Sequence, residues 1–407
     1  MDHLFRQESG KMVAVLTKLF GFDQLEIAED IVQDTFIQAH DTWKLKGIPD
    51  KPVSWLYTVA KNKATDLLRR QQTKRKVDAH LRTAIPVEYS ITAHLEQAFY
   101  EIKDNQLRML FAVCHPAIPE EAQIALALKT LGGFNIQEIA RAFLTTKEVI
   151  NKRLFRAKDK IRREQIALEV PEGEALQTRV ERVLKTIYLL YNEGYHSASA
   201  EVVMRKDLCL EAIRLALLLH ESQLQQDSDV CALLALMCFH TSRFESRMNE
   251  LGQLIPLGKQ DRTKWNVDLI ARGTYFMQSM NFERLSTAYE LEAAIAYLHT
   301  LPDGEEKWSA MLALHDRLLM VKNNTNIHLN MALVISKVRG PEEALRYLQR
   351  LEGVESNYLF YALRGDISRD LWPTQAREDL QKAIALAPLE AERAILLTKL
   401  QAIRPQT

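Results

Sequence analysis

Eight basic residues and only two acidic ones, Glu148 and Asp159, lie between Lys147 and Arg163. At that density helix side chains pair with phosphate oxygens, and a few reach base edges. Lys147, Asn151, Lys152 and Arg156 supply donors for both tasks. Thr145 and Thr146 precede them, where a helix start offers free N–H groups to an anion. The chemistry is recognition of a nucleic acid, with no bond made or broken. A second basic run, residues 61–76, carries seven Lys/Arg and one acid. Lys61, Lys63, Arg69 and Arg70 suit a phosphate backbone, and Asn62 and Asp66 lie among them. A third group has the opposite character. Asp30, Gln33 and Asp34 fall at i, i+3 and i+4, one polar helical face suited to a basic partner helix.

These residues need rigid supports. Ile150, Leu154, Ala157 and Ile161 form one apolar stripe that would anchor the basic helix. Ile136, Ile139, Ala140 and Phe143 predict a short helix before it. Thr145 and Glu148 match a capping box, and Leu144 and Val149 take the positions of a hydrophobic staple. The pattern is a helix-turn-helix. Upstream, Phe5, Met12, Leu16, Leu19 and Phe20 predict one amphipathic helix. Ile27, Ile31, Phe36 and Ile37 predict a second, with Trp43 extending its face. Gly47, Pro49 and Pro52 make 44–52 a loop, and a third helix runs from Val53 through the basic run. Trp55 is expected in the core, while Tyr57 fits either the core or a stacking role.

The domains expected are 1–76, a linker at 77–96, 97–167, a hinge at 168–176, 177–290 and 291–407. In the last two, EAIRLA (211–216), EAAIAYL (292–298), EEALRYL (342–348) and KAIALAP (382–388) share a small-then-large apolar core. Their aligned alanines, 212, 294, 344 and 383, are unevenly spaced. They predict degenerate helical hairpins rather than a strict 34-residue repeat.

Composition sets the outer bounds. A chain of 407 residues with 47% hydrophobic content, 14 Gly and 12 Pro reads as folded and all-α. No run approaches a membrane span, and the N-terminus lacks a secretory layout, so a cytoplasmic location is expected. Cys114, Cys209, Cys231 and Cys238 form no CxxC pair and read as buried thiols. His115 reads as structural. No metal or cofactor is expected. The net charge of zero conceals an asymmetry: residues 1–170 hold 26 Lys+Arg against 22 Asp+Glu, and the rest hold 27 against 31. The basic half suits DNA and the acidic half suits protein contact or regulation. The C-terminal half has no P-loop, G-x-S-x-G or HExxH, so no enzyme is expected.

Taken together, AEDIVQDTFIQAHDTW (28–43), PVSWLYTVAKNKATDLLRRQQTKR (52–75) and residues 106–163 resemble regions 2.1–2.2, 2.3–2.4 and 4 of bacterial sigma-70-family factors of the extracytoplasmic-function type. CHPAIPEEAQIALALKTLGGF (114–134) and LLYNEGYHSASAE (189–201) are similar to a subgroup with a tetratricopeptide-like C-terminal extension. The resemblance implies two small helical sigma domains followed by a helical-hairpin solenoid. It implies that Asp30, Gln33 and Asp34 dock on core RNA polymerase, through its β′ subunit, with β also a partner. It places Lys61, Asn62, Lys63, Asp66, Arg69 and Arg70 at the −10 element, and makes loop 44–52 the acceptor of a flipped base. Thr145, Thr146, Lys147, Asn151, Lys152 and Arg156 are the candidates for the −35 element. Arg153 and Arg162 are assigned to backbone or polymerase contacts. The implied function is promoter-specific initiation, regulated in cis by the extension or by a protein or small molecule bound to it. A stand-alone helix-turn-helix regulator with a sensor domain is the alternative reading.

Overall fold

The first helix, α1 (Asp2–Phe20), is buried on every side over its middle turns: Met12, Val13, Ala14, Val15, Leu16 and Thr17 all lie within the core. The sequence predicts a single apolar face. The difference arises because α1 is packed on both sides, and its small residues let neighbours approach closely. The computed structural model describes residues 2–79, 101–143, 145–195, 205–222, 228–249, 255–388 and 390–403. Among them the chain is all-α, with no β-strand.

Two compact units are present, Met1–Gly194 with Arg205–Gln225, and Tyr195–Met204 with Gln226–Thr407. In the first, α1 packs against α2 (Leu25–Lys46) and α3 (Pro52–Ala79) on one side. On the other it meets α4 (Ile102–Val113) and α5 (Glu120–Thr130). Helix α2 ends where Gly47, at φ 82, turns the chain out of the helix. Pro52 then opens α3, so the connection is shorter than the loop expected over 44–52. The rest of the unit is α6 (Ile136–Ala142), α7 (Lys147–Arg163), α8 (Glu174–Tyr195) and α9 (Lys206–Glu221).

Residues 168–176, expected as a hinge, do connect α7 to α8, with Gly173 at φ 60. The compact unit nevertheless continues past them. Arg179 donates to the Phe111 carbonyl, Lys185 pairs with Glu120, and the Thr186 hydroxyl donates to Gln123 Oε1. These bonds tie α8 to α4 and α5. Of the linker expected over 77–96, residues 80–96 lie outside the described residues, as do 196–201 of LLYNEGYHSASAE.

The second unit begins with α10 (Ser228–Thr241), buried almost throughout and packed on α11 (Val267–Met277) and α12 (Ala288–Thr300). It continues through α13 (Glu305–Val321), α14 (Thr325–Val338), α15 (Pro341–Leu348), α16 (Tyr358–Ser368), α17 (Pro373–Leu386) and α18 (Glu390–Gln401). From α12 onward each helix packs on the next. One small core joins Met311, Leu312, Met331, Ile335 and Ala344; another joins Leu329, Ala332, Leu348 and Phe360; a third joins Ala362, Ala376, Leu380, Ala383 and Leu396. The four alanines aligned from sequence, Ala212, Ala294, Ala344 and Ala383, are all buried. A methyl group at those points lets helices cross closely, the role their small-then-large context predicts.

Candidate nucleic-acid and partner interface

On α2, Asp30, Gln33 and Asp34 are all exposed, while Ile31, Val32, Thr35 and Phe36 face the core. The three polar residues thus share a surface fixed by the helical register. Lys63 Nζ donates to the Asp34 carbonyl at 3.4 Å, which ties that end of the surface to α3.

Helix α3 buries Leu56, Ala60 and Ala64 at four-residue intervals. Asn62, Asp66, Arg69 and Arg70 are exposed, and Lys61 and Lys63 are half-buried along the flank. Trp55, expected in the core, is half-buried and packs edge-to-face on the buried Trp43, with ring centroids 5.4 Å apart. Tyr57 resolves to an internal role. Its hydroxyl donates to Glu8 Oε2 at 3.0 Å, and burial followed by the Glu8 charge pushes its pKa well above the ordinary tyrosine value.

Helices α6 and α7 are joined by residues 143–146. Ile150, Leu154, Ala157 and Ile161 are buried, the stripe read from sequence. The cap is displaced by one residue: Thr146, not Thr145, is the N-cap, and its hydroxyl accepts from Val149 N–H at 3.4 Å. Thr145 N–H instead bonds the Ala140 carbonyl at 2.9 Å and finishes α6, so it is unable to start α7. Glu148 is then not the reciprocal partner of a capping box; hydrogen bonding to the Thr146 hydroxyl, followed by its own backbone, holds its carboxyl below the ordinary range. A reciprocal box does occur, one helix earlier, between Asn135 and Glu138 at the start of α6. Of the expected staple, Leu144 lies outside the described residues and Val149 is exposed.

The cations of α7 divide into two sets. Lys147, Lys152 and Arg156 are exposed. Farther along, Lys158 Nζ lies 2.7 Å from Glu29 Oε2, and Arg162 Nη2 lies 3.5 Å from Glu26. Arg153 pairs with Glu121 at 2.6 Å and lies over the Phe143 ring. Asn151 shares a groove of about 630 Å³ with Asp30, Gln33, Leu154, Phe155 and Lys158, together with residues of α1 and of the turn before α6. The sequence expects Asn151 beside Lys152 on a DNA face and Asp30 on a polymerase face. The fold brings Asn151 and Asp30 together.

The ion pairs of Glu26 and Glu29 are contacts that the sequence did not reveal: both carboxylates precede the polar triplet of α2, and Lys158 lies 129 residues on from Glu29. Cys114 and Cys238 are buried, and burial pushes their thiols up to about 12 and about 11, so they remain protonated. His115 accepts from Ala117 N–H, and burial followed by the Arg179 charge lowers its pKa. Among the described residues, no group of three His, Cys, Asp or Glu is placed to hold a metal, and no helix is long and apolar enough to cross a membrane.

Two families match parts of the chain: sigma-70 region 2 over residues 4–74, and a family of unknown function, DUF6596, over residues 179–281. A protein of Rhizobium meliloti, uncharacterized protein R00370, is 32% identical over 385 residues, covering 93% of this chain and 90% of that protein. The ECF RNA polymerase sigma-E factor of Haemophilus influenzae is 24% identical over 164 residues, covering 39% of this chain and 83% of that protein. No solved structure matches the chain.

Proposed function

We propose that the chain is an initiation factor of the extracytoplasmic-function type, carrying core RNA polymerase to its own promoters. The match of residues 4–74 to sigma-70 region 2 and the likeness to the sigma-E factor of Haemophilus influenzae support a sigma factor role in transcription initiation. The finer assignments rest on where the side chains lie. The observation that carries them is the pairing, within the matched segment 4–74, of an exposed acidic face (Asp30, Gln33, Asp34) with an exposed face of α3 bearing Asn62, Asp66, Arg69 and Arg70. One face suits a basic helix of polymerase. The other suits the −10 element, where capture of unstacked bases and backbone offsets a melting cost of a few kcal/mol per base.

Helix α7, seated on its apolar stripe, then reads the −35 element with Lys147, Lys152 and Arg156 exposed at its N-terminal half. Thr145, Thr146 and Asn151 complete that set. The protein catalyses no covalent step; polymerase does. Serial packing of helices from α12 onward supports a tetratricopeptide-like extension, and the extension regulates the factor in cis.

Runoff transcription with purified core polymerase on genomic fragments tests this reading. Transcripts that start at a defined site only when the protein is added are the expected result. DNA binding without any association with polymerase would instead identify a stand-alone regulator.

A further inference from the structure

The second unit buries a hydroxyl that bonds to nothing. Ser368, the last residue of α16, is 1% exposed, and its Oγ has no hydrogen-bond partner among the described residues. A helical serine or threonine ordinarily returns its hydroxyl to a carbonyl three or four residues back, as Thr274 and Ser336 do in this unit. Burial without that bond is unfavourable unless a bound molecule supplies the partner. Ser368 lines a pocket of about 180 Å³, together with Leu345, Gln349, Arg364, Trp372 and Gln375.

Three helices build it. Leu345 and Gln349 at the end of α15, and Arg364 and Ser368 at the end of α16, are pairs four residues apart, so each pair shares one helical face. Gln375 stands in the first turn of α17. The N–H groups of Leu371 and Trp372 both donate to the Ser368 carbonyl, at 3.0 and 2.7 Å, which fixes the turn before α17 and the position of Trp372. Leu345 gives a buried apolar wall, and the Trp372 side chain, half-exposed, gives a large aromatic one.

The polar atoms select the ligand. Arg364 gives Nε and Nη2 to the fully buried Asp379, at 2.8 and 2.5 Å, so its charge is already matched and an anion finds no net charge to meet. Nη1 remains as a donor. The Ser368 hydroxyl and the Gln349 and Gln375 amides each carry both donor and acceptor capacity. Donors and acceptors mixed beside an aromatic face match a neutral ring whose hydroxyls both give and accept hydrogen bonds and whose C–H face can lie on indole. An apolar ligand would leave Ser368 unpaired. The volume equals the share of about six waters at about 30 Å³ each, which is room for one such ring with its substituents.

We propose that this pocket binds a small neutral polyhydroxylated ring, a free monosaccharide or cyclitol. The Ser368 hydroxyl, the Gln349 amide and Arg364 Nη1 hold its hydroxyls, and Trp372 covers one face. The site gives the C-terminal extension a ligand of defined chemistry. It lies wholly within the second unit, so it stands or falls independently of the initiation-factor reading.

The test is calorimetry and tryptophan fluorescence on the full chain, titrated with glucose, galactose, mannose and myo-inositol, with glucuronate and acetate as charged controls. At least one neutral ring should bind with a dissociation constant of about 0.1–1 mM, ordinary for a ligand of that size, and shift the tryptophan emission. Whether a sugar or myo-inositol binds more tightly tells monosaccharide from cyclitol. Ser368→Ala should weaken binding about fivefold to tenfold, the loss of one hydrogen bond, without lowering the melting temperature of the free protein, where that hydroxyl bonds nothing. Trp372→Ala should weaken binding by more than about tenfold, and Trp372→Phe by less, which keeps the test open if the alanine variant fails to fold. Met320→Ala, exposed and outside the pocket, should change neither binding nor emission shift. The absence of saturable binding by any neutral ring would overturn the site. So would binding that Ser368→Ala and Trp372→Phe leave unchanged, or glucuronate or acetate binding more tightly than every neutral ring.

Discussion

The two compact units deal with charge in different ways. In the first, cations meet carboxylates from another helix: Lys158 with Glu29, Arg6 with Glu138 and Asp207, Lys185 with Glu120. In the second, interhelix pairs such as Lys322 with Glu292 and Arg364 with Asp379 also occur, and two arginines are in addition buried against neutral acceptors. Arg247 lies over the Tyr195 ring at 3.6 Å and donates to the Tyr195 carbonyl, and Arg243 donates to the Tyr195 hydroxyl and contacts the His240 ring nitrogen. Exchangeable ion pairs between helices suit a surface that must come apart, because a competing charge or salt replaces them cheaply. Cations held by ring faces and carbonyls are less exposed to replacement by salt.

The sharpest way to break the comparison is in the scaffold. Asp379 is fully buried and takes both prongs of Arg364. Asp379→Ala strands that guanidinium and should lower the stability of the second unit by about 3 kcal/mol in denaturant titrations, with the 25% exposure of the Arg364 side chain softening the loss. Affinity for polymerase should hold. A smaller effect is expected at the close approach in the first unit. Gly10→Ala forces α1 away from Leu131 and should cost about 2 kcal/mol of overpacking, read as a lower melting temperature.

Acid should separate the units further. Burial, helped by Arg243, Lys307, His315 and Arg262, lowers the His299 pKa to about 3, so the ring is neutral when folded and protonates near 6.5 when unfolded. Its contribution is whole above pH 6.5 and is lost as pH falls toward 3. The second unit should therefore weaken by up to about 1 kcal/mol per pH unit below 6.5, and His299→Gln should flatten that slope in melts at pH 7, 6 and 5. The smallest effect lies on the first unit's surface. Lys152→Ala should leave stability unchanged and weaken DNA binding, with the slope of log affinity against log salt shallower by about one. An unaltered slope would remove Lys152 from the phosphate contacts.

Much of this architecture is legible one residue at a time. The stripe Ile150, Leu154, Ala157, Ile161 and the buried alanines at 212, 294, 344 and 383 follow from spacing and side-chain volume. The cap at Thr146 was missed by one position, because Thr145 and Thr146 carry the same hydroxyl and only the bond from Thr145 N–H to Ala140 tells them apart. The all-round burial of α1 was hidden for another reason. Its second partner, α4, begins more than eighty residues after α1 ends, and a hydrophobic pattern does not say how many neighbours share a helix.

The sequence by itself determined which helices form, which face of each is apolar, and which residue types can meet phosphate or a basic partner, because these depend on neighbours within a turn or two. Tertiary structure alone decided which of the basic residues are exposed. Lys152 and Lys158 are six positions apart with the same charge, yet one faces solvent and the other lies between Glu26 and Glu29. Ion pairing depends on distance in space, and residue spacing along one helix does not reveal the carboxylates that another helix brings to it.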